Sequence, residues 1–300
     1  MARPIVAIDW GTSSLRGARL DAQGTALDER ASLQGILNVP PGGFDAVFQA
    51  TFGDWLGGSS DTLCLISGMA GSRQGWREAP YCPCPSGASD IAAALSWVVP
   101  GRVAIVPGLS CERDGAPDVM RGEETQIFGA LDMLGLADAL FVLPGTHSKW
   151  AEVRGGRVER FSTAMTGEVY ALLRRHSILA RTLPPEDGPL HDAAFDAGVE
   201  RAMRSASLLQ SAFTVRTLAL FERSTPEELA SYLSGLVIGE ELRAQGSLGG
   251  LAGRRVHVIG NDALTQRYQR ALGCVGAEAV AVGAQATWRG LWNIARSLQE

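Results

Sequence analysis

The chain has 300 residues, of which 46% are hydrophobic and 20% are charged, and this composition excludes a disordered or collagen-like protein. Its 27 basic and 32 acidic residues give a net charge of −5, which argues against a general nucleic-acid binder because such proteins carry a basic surface. Asp9 interrupts the first apolar run, and no apolar stretch approaches the roughly 18 residues of a membrane span. Five cysteines without zinc-binding spacing indicate reduced thiols. We therefore expect a cytoplasmic protein with no membrane or nucleic-acid partner.

The first part of the chain is predicted to place strands and helices around a β-meander. Apolar or alternating runs predict strands over 5–8, 15–20, 25–32, 63–66 and 103–106. Helical spacing predicts helices over 44–56, 90–99 and 123–134. We expect these elements to form an N-terminal domain, residues 1–135.

The opening strand–turn–strand pattern then recurs in a second part with more helices. Strands are predicted over 140–143, 150–153, 158–162, 255–259 and 278–282. Helices are predicted over 166–175, 192–207, 209–222, 225–245, 262–272 and 283–297. Because such repetition indicates related units, we expect a second domain, residues 136–300, that faces the first.

The first predicted strand leads into a loop suited to phosphate binding. After Asp9 comes a run that we call the first loop (residues 11–14), consisting of Gly11, Thr12, Ser13 and Ser14. Backbone N–H groups and short hydroxyls in such a turn are donors for phosphate oxygens. Asp9 could hold Mg²⁺ directly or through its water ligands, and Arg16 could reach a phosphate. An ordinary hairpin with Asp9 capping its turn would have the same pattern.

A second loop (residues 144–149) repeats this pattern. It starts at Pro144 and continues with Gly145, Thr146, His147, Ser148 and Lys149. Lys149 is the only lysine beside 26 arginines, which suggests that a compact, flexible ammonium is needed there. Two such loops facing each other would hold a polyphosphate from both sides. Chance survival of one surface lysine is the alternative, and His147 alone is more typical of a structural hydrogen bond than of a base.

Two further segments carry less specific patterns. Glu123 and Glu124 begin a predicted helix, and either carboxylate could accept the proton of a hydroxyl during phosphoryl transfer. Acidic residues also complement the dipole at a helix start, and spacing alone favours that interpretation. Gly260 and Asn261 lie between a strand and a helix, in a turn that permits close approach of an adenine or a ribose. Such turns are common in α/β proteins, so this turn by itself identifies no ligand.

Two common nucleotide motifs are missing from the sequence. It contains no G-x-x-x-x-G-K-[ST] run, which argues against a P-loop enzyme. No G-x-G-x-x-G run follows the first strand, which argues against a dinucleotide-binding fold.

The order of the motifs that are present resembles the sugar kinase and actin-like ATPase superfamily. The first loop, the second loop and the Gly260 turn resemble its phosphate-1, phosphate-2 and adenosine motifs. More narrowly, the chain resembles the 2-dehydro-3-deoxygalactonokinase family in five runs, residues 7–16, 67–72, 121–126, 144–150 and 165–168. The resemblance implies an α/β fold of two actin-like, ribonuclease H-like domains, with mixed sheets flanked by helices and a cleft between the domains.

The same resemblance implies a reaction and roles for residues. The reaction is ATP- and Mg²⁺-dependent phosphorylation of the 6-hydroxyl of 2-dehydro-3-deoxy-D-galactonate. Glu123 would be the general base, with Glu124 as the other candidate, where the superfamily usually has an aspartate. Asp9 would organise Mg²⁺, and Lys149 and Arg16 would neutralise developing charge. A cation or backbone N–H group should meet the sugar acid's carboxylate, and the candidates are Gly68, Met69, Ser72, Arg73, Gly108 and Arg121.

Other functions share these motifs. One alternative is another acid-sugar or hexose kinase of the superfamily. A second is a polymerising actin-like ATPase or a sugar-responsive regulator, although a regulator would normally bring a DNA-binding module and the first strand already begins at Ile5. The sequence does not determine the oligomeric state, and a homodimer is one option.

Overall fold

The chain folds into two compact units in the computed structural model, which describes residues 3–58, 61–247, 249–283 and 285–298. The first unit contains the described residues up to Ala139, together with Ala151–Ser162 and the described residues from Gly283 onward. The second unit contains Leu140–Trp150 and Thr163–Val282. The domains predicted from the sequence are consecutive, whereas the first unit also takes in two later segments.

The first unit is built around a mixed sheet. In chain order the elements are β1 (Ile5–Trp10), β2 (Leu15–Leu20), β3 (Ala26–Ser32), α1 (Phe44–Gly57), β4 (Leu63–Gly68), β5 (Tyr81–Pro83), α2 (Ala88–Ala93), β6 (Ser96–Val99), β7 (Val103–Ile105), β8 (Gly108–Arg113), β9 (Ala116–Met120) and α3 (Glu123–Leu134). The predicted antiparallel meander β1–β3 is present, and β4 pairs with β1 in parallel. The strand order is β3-β2-β1-β4-β7-β6, and β5, β8 and β9 form a smaller sheet.

A second mixed sheet is formed by the later strands. The remaining elements are β10 (Ala139–Leu143), β11 (Ser148–Arg154), β12 (Arg157–Ala164), α4 (Thr166–His176), α5 (Asp192–Arg204), α6 (Leu208–Ser211), α7 (Phe213–Leu220), α8 (Pro226–Gly246), β13 (Arg255–Ile259), α9 (Asp262–Cys274), β14 (Glu278–Val282) and α10 (Ala286–Ser297). The strand order is β12-β11-β10-β13-β14, with β10, β13 and β14 parallel. These mixed sheets with flanking helices confirm the predicted α/β fold class. Within the described residues, every helix is too short or too polar to cross a membrane.

The core of the first unit forms between β1 and α1. Ile8 and Trp10 on β1 are fully buried, and they belong to one apolar cluster with Phe48 and Phe52 of α1. The rings of Trp10 and Phe44 lie 5.4 Å apart. Burial of each large apolar side chain contributes about 1.5–3 kcal/mol. This packing holds the end of β1, from which the first loop departs.

Helix α8 carries the core of the second unit. Its start has the predicted capping box, in which Thr225 Oγ1 accepts the N–H of Glu228 at 3.3 Å while Glu228 Oε2 accepts the N–H of Thr225 at 2.9 Å. Ile238 and Leu242 of α8 pack in one cluster with Tyr268 of α9. Side chains at this spacing share one face of a helix, so α8 presents an apolar stripe to the sheet and to α9.

Some predicted elements are wrong. The helix predicted over 90–99 ends at Ala93, and 96–99 forms β6, which pairs antiparallel with β7. The helix predicted over 209–222 is two helices, α6 and α7, separated at Ala212. Sequence reasoning missed β5, β8 and β9. β5 has only three residues, β8 is buried only at its first two residues, and β9 is largely exposed, so all three lack the apolar periodicity that marks a strand.

The first loop is held from behind by the segment that starts at Gly35. The N–H of Gly11 donates to the carbonyl oxygen of Ser14 at 2.9 Å, and the N–H of Ile36 donates to the carbonyl oxygen of Gly11 at 3.0 Å. A Cβ at Gly35 would lie 2.3 Å from the backbone carbon of Ser13. Because real Cβ atoms do not approach backbone this closely, only glycine lets the segment support the loop.

We expect Gly35→Ala to lower the free energy of unfolding by about 1–3 kcal/mol, because the added methyl must push the first loop away. Urea unfolding of the purified protein measures this change. The matched control is Gly273→Ala on α9, where an added Cβ meets open space, and we expect no loss of stability there. Equal stability of both variants would contradict the close packing of Gly35.

Candidate active site

Asp9 lies near the end of β1, where the first loop begins. Its Oδ2 is 2.5 Å from Nη2 of Arg16, which faces it on β2. Gly68 ends the neighbouring strand β4 with a φ of 91°, and a Cβ there would lie 3.3 Å from Oδ1 of Asp9. A Cβ at Gly68 would also lie 2.9 Å from the carbonyl oxygen of Trp10, so only glycine lets β4 end this close to Asp9, whose side chain is 20% exposed. The exposed part of the Asp9 carboxylate is accessible to a ligand.

The polar groups of the first loop reach solvent. Thr12 and Ser13 are exposed, and Gly11 and Ser14 are half-buried. The structure thus places two exposed hydroxyl-bearing residues in the turn between β1 and β2. Such residues carry the type of donor that the sequence predicts for phosphate oxygens, and their role in phosphate binding stays a prediction.

The two candidate bases at the start of α3 differ sharply in burial. The N–H of Arg121 donates to Oε2 of the half-buried Glu123 at 2.9 Å. Glu124 is fully buried, and it accepts the N–H of Gly122 at 2.7 and 2.9 Å and the hydroxyl of Thr125 at 3.2 Å. Burial, followed by the nearby charge of Glu123, raises the pKa of Glu124 to about 7.

Buried donors without protein acceptors lie in the predicted substrate region. Arg121 donates from Nη2 to the carbonyl oxygen of Ala79 at 2.8 Å, and its guanidinium carbon lies 4.3 Å from the ring centre of Tyr81. Its Nε and Nη1, and the Oγ of Ser72, are buried without a hydrogen-bond partner among the described residues. Such groups are costly unless a ligand or water satisfies them. They are therefore suited to bind polar atoms of a substrate.

The other predicted substrate-binding residues differ in their burial and contacts. Met69 begins a short 3₁₀ turn, Met69–Gly71, directly after β4. Gly108 is buried at the start of β8, where a Cβ would lie 2.3 Å from the carbonyl oxygen of Met120. The side chain of Arg73 is 85% exposed and pairs with Glu78 at 3.2 Å. The contacts of Arg73 therefore do not support its predicted role in substrate binding.

The second loop is backed by the start of α4. Thr146 and His147 are exposed, and Nε2 of His147 lies 2.5 Å from Oε2 of Glu168. The N–H of Glu168 donates to the carbonyl oxygen of Thr146 at 3.0 Å. A Cβ at Gly167 would lie 2.5 Å from the carbonyl oxygen of Gly145, so this glycine supports the loop by close contact. His147 therefore has the structural hydrogen bond that its residue type suggested.

The sequence pattern predicted that the last two residues of the second loop belong to a turn, and this prediction is wrong. Ser148 and Lys149 are the first residues of β11, and both are buried. The Oγ of Ser148 donates to Oε1 of Glu241 at 2.8 Å, and Nζ of Lys149 donates to Oγ1 of Thr163 at 2.8 Å. Their polar groups find partners inside the unit, which lets two polar residues occupy a buried strand. Their roles in phosphate binding and catalysis stay predictions.

The predicted adenosine turn lies beside the second loop. Asn261 caps α9, since its Oδ1 accepts the N–H of Leu264 at 2.9 Å. A Cβ at Gly260 would lie 3.6 Å from Cδ of Pro144. A pocket in the second unit is lined by residues that include Gly145, Thr166, Gly167, Leu264, Arg267 and Tyr268. The second loop and the start of α9 thus share one pocket.

Sequence reasoning missed the acid that lies behind this pocket. Glu241 on α8 is buried and accepts hydrogen bonds from Ser148 and Tyr268, among others. One signal was available, because Glu241 lies on the apolar stripe between Ile238 and Leu242. A charged residue at such a position needs partners, although the sequence does not reveal which ones.

Comparison with known proteins identifies the family. The family described as 2-keto-3-deoxy-galactonokinase matches residues 9–294. The 2-dehydro-3-deoxygalactonokinase of Escherichia coli (strain K12) is 33% identical over 300 residues, which are 99% of each chain. A Rhizobium meliloti (strain 1021) protein curated as "Probable 2-dehydro-3-deoxygalactonokinase DgoK1" is 35% identical over 304 residues, covering 96% of this chain and 97% of the relative.

The chain is also similar to a crystal structure from Sinorhizobium meliloti described as "a putative 2-dehydro-3-deoxygalactonokinase protein". That structure has a TM-score of 0.90 and 35% identity, and the match covers 98% of this chain and 99% of the other. The fold and these full-length matches define a carbohydrate kinase. The chain belongs to the 2-keto-3-deoxy-galactonokinase family. The family and enzyme class predicted from the sequence motifs are therefore confirmed.

The raised pKa of Glu124 predicts a pH-dependent stability. The pKa of Glu124 is about 7 in the folded state, against an ordinary value of 4.5. Between pH 4.5 and pH 7 the folded state therefore keeps a proton that the unfolded state releases. The stability that protonated Glu124 contributes is therefore lost as the pH rises through about 7. The free energy of unfolding should fall by roughly 3 kcal/mol between pH 5 and pH 8. Urea unfolding at both pH values should show that Glu124→Gln removes this decline. An identical pH dependence in both proteins would contradict the assignment.

Proposed function

We propose that this chain transfers the terminal phosphoryl group of ATP to the 6-hydroxyl of 2-dehydro-3-deoxy-D-galactonate. The products would be 2-dehydro-3-deoxy-6-phosphogalactonate and ADP. The observation that carries the proposal is the match to a 2-dehydro-3-deoxygalactonokinase at 33% identity over 99% of both chains. The arrangement of carboxylates and unsatisfied donors in the first unit supports the same reaction.

Asp9 is the residue proposed to hold Mg²⁺. Within the described ranges no cluster of three or more His, Cys, Asp or Glu side chains suits a metal ion. A single carboxylate fits Mg²⁺ nonetheless, because this ion keeps several water ligands. The partial exposure of the Asp9 side chain, 20%, supports this assignment because the carboxylate can be reached from solvent. When bound, the ion supplies positive charge that neutralises the phosphate oxygens.

Glu123 is the proposed general base. A base must come within hydrogen-bond distance of the hydroxyl whose proton it takes. Glu123 is half-buried, whereas Glu124 is fully buried with its carboxylate turned toward the N–H of Gly122. The carboxylate of Glu123 would accept the proton as the 6-hydroxyl oxygen attacks phosphorus. Glu124 would instead hold the first turn of α3 in shape.

Arg121 and Ser72 are the proposed contacts for the polar groups of the sugar acid. Nε and Nη1 of Arg121 and Oγ of Ser72 are buried without hydrogen-bond partners among the residues described. A carboxylate of the ligand can accept from one of these guanidinium N–H groups, and such a charge-assisted bond is stronger than one between neutral groups. A neutral sugar would offer these donors only hydroxyl or carbonyl oxygens, which form weaker bonds to a guanidinium than a carboxylate does. This difference provides a physical basis for selecting an acid sugar.

The exposed residues of each loop are proposed as donors to phosphate oxygens of ATP. Exposed Thr12 and Ser13 and exposed Thr146 supply hydroxyl and N–H donors of the required type. The pocket beside the second loop, near Gly260, would take the nucleoside. Arg16 is paired with Asp9. We therefore propose that Arg16 positions this carboxylate and also binds the phosphates.

We place the reaction in the cytoplasm, and the presence of all five cysteines as thiols supports a reducing compartment. A sugar acid as the small-molecule partner follows from the proposed reaction. A homodimer and the absence of a nucleic-acid partner stay predictions from the sequence.

The acceptor requirement tests the function. We expect ADP release from ATP and Mg²⁺ to depend on added 2-dehydro-3-deoxy-D-galactonate, and a coupled spectrophotometric assay measures this release. Other sugar acids, neutral hexoses and a reaction without acceptor are run in parallel. Preference for another acceptor would favour a different acid-sugar or hexose kinase. ADP release that needs no acceptor would favour an actin-like ATPase.

Glu123→Gln should lower kcat by about 10²–10⁴-fold, because the amide cannot accept the hydroxyl proton. Circular dichroism and urea unfolding should remain close to those of the natural protein. The matched control is Glu227→Gln, which changes an exposed glutamate in the first turn of α8 and should leave kcat unchanged. If Glu124→Gln loses turnover while Glu123→Gln retains it, the base is Glu124.

A further inference from the structure

Four side chains donate hydrogen bonds to one buried carboxylate in the second unit. Oε1 of Glu241 accepts the hydroxyl of Ser148 at 2.8 Å and the indole N–H of Trp150 at 2.6 Å. Oε2 accepts the hydroxyl of Tyr268 at 2.6 Å and also the hydroxyl of Thr166. We call these five residues the Glu241 cluster. All lie inside the second unit.

The bonding within the cluster is complete. An ionised carboxylate has about four acceptor positions, and four donors occupy them here. Glu241 is only 4% exposed, and burial raises its pKa while the four donors act in the opposite direction. A buried charge is expensive, and apolar residues of similar volume often serve stability equally well. A role in ordering the surrounding elements explains the cluster better than a contribution to stability.

The cluster joins four elements, of which α4, α8 and α9 line the pocket described above. Ser148 and Trp150 lie on β11, directly after the exposed part of the second loop, and Thr166 begins α4, which backs that loop. Tyr268 belongs to α9 and Glu241 to α8. Thr166 and Tyr268 also line the pocket itself. One carboxylate therefore sets the relative positions of the second loop and of the pocket wall.

We propose that Glu241 is a positioning residue, which holds the second loop and the pocket wall in the arrangement that binds the nucleotide. The identity of this ligand as a nucleotide rests on the proposed function. Glu241 touches no reacting atom and acts through Ser148, Thr166 and Tyr268. Loss of its carboxylate should therefore affect nucleotide binding far more than binding of the sugar acid.

Two variants test this role. We expect Glu241→Ala to weaken binding of ADP, measured by titration calorimetry, by about tenfold, which equals ~1.4 kcal/mol. Glu241→Gln should weaken it less, because its amide oxygen still accepts from Trp150 and Ser148 while the two other hydroxyls can turn to accept from its amide nitrogen. In both variants the KM for the sugar acid should stay unchanged. If the alanine variant does not fold, the glutamine variant alone must bind ADP more weakly than the natural protein.

Amide hydrogen exchange provides a second measurement that needs no ligand. Exchange over residues 144–150 should accelerate in the Glu241 variants. Ser231→Ala is the matched control, because Ser231 is also buried on α8 and accepts one hydrogen bond, from the N–H of His191 at 2.9 Å. We expect this control to lose stability without faster exchange over 144–150 and without weaker ADP binding.

The outcomes separate the two proposals. Unchanged exchange over residues 144–150 in the Glu241 variants would overturn the positioning role, whatever the ligand is. An equal effect of Ser231→Ala on ADP binding would overturn it as well, because any loss of stability would then suffice. If the natural protein neither binds ADP nor uses the sugar acid, the proposed function fails while the exchange result still decides the role of Glu241.

Discussion

Close contact between backbone segments is the constraint on which both candidate ligand loops depend. In the first unit Gly35 lies directly behind Ser13, and in the second unit Gly167 lies directly behind Gly145. A Cβ at either glycine would come within 2.5 Å of backbone atoms, so no other residue fits without moving the loop. Each loop is thereby supported by main chain on one side and keeps hydroxyls exposed on the other. This arrangement lets short polar side chains meet a ligand while the backbone stays ordered.

Acidic residues serve two different purposes in this protein, and burial separates them. Asp9 and Glu123 are partly accessible, which suits groups that meet an ion or a substrate. Glu124 and Glu241 are buried, and both are satisfied by hydrogen bonds from the protein. Glu124 is bonded within its own helix start, so its influence is local. Glu241 is bonded by side chains from three other elements, so it orders a larger region.

Local patterns predicted much of the fold correctly. The meander and α8 were predictable because apolar spacing and the capping box of Thr225 and Glu228 are properties of neighbouring residues. The prediction was wrong at 96–99, where the backbone of the supposed helix instead forms a strand that pairs with β7. The strands β5, β8 and β9 were missed because they have no apolar pattern of their own. They are strands because they pair with one another in one sheet.

The sequence by itself determined the family, the mixed sheets and the places of the two loops, since these follow from short-range patterns and specific motifs. Only the tertiary structure decided which polar side chains of those segments face solvent. Ser148 and Lys149 look like loop residues in the sequence, yet both are buried in β11. The bond from Ser148 to Glu241 joins positions 93 residues apart. No local pattern encodes such a contact, and the cost of burying a carboxylate depends on partners that only the folded chain brings together.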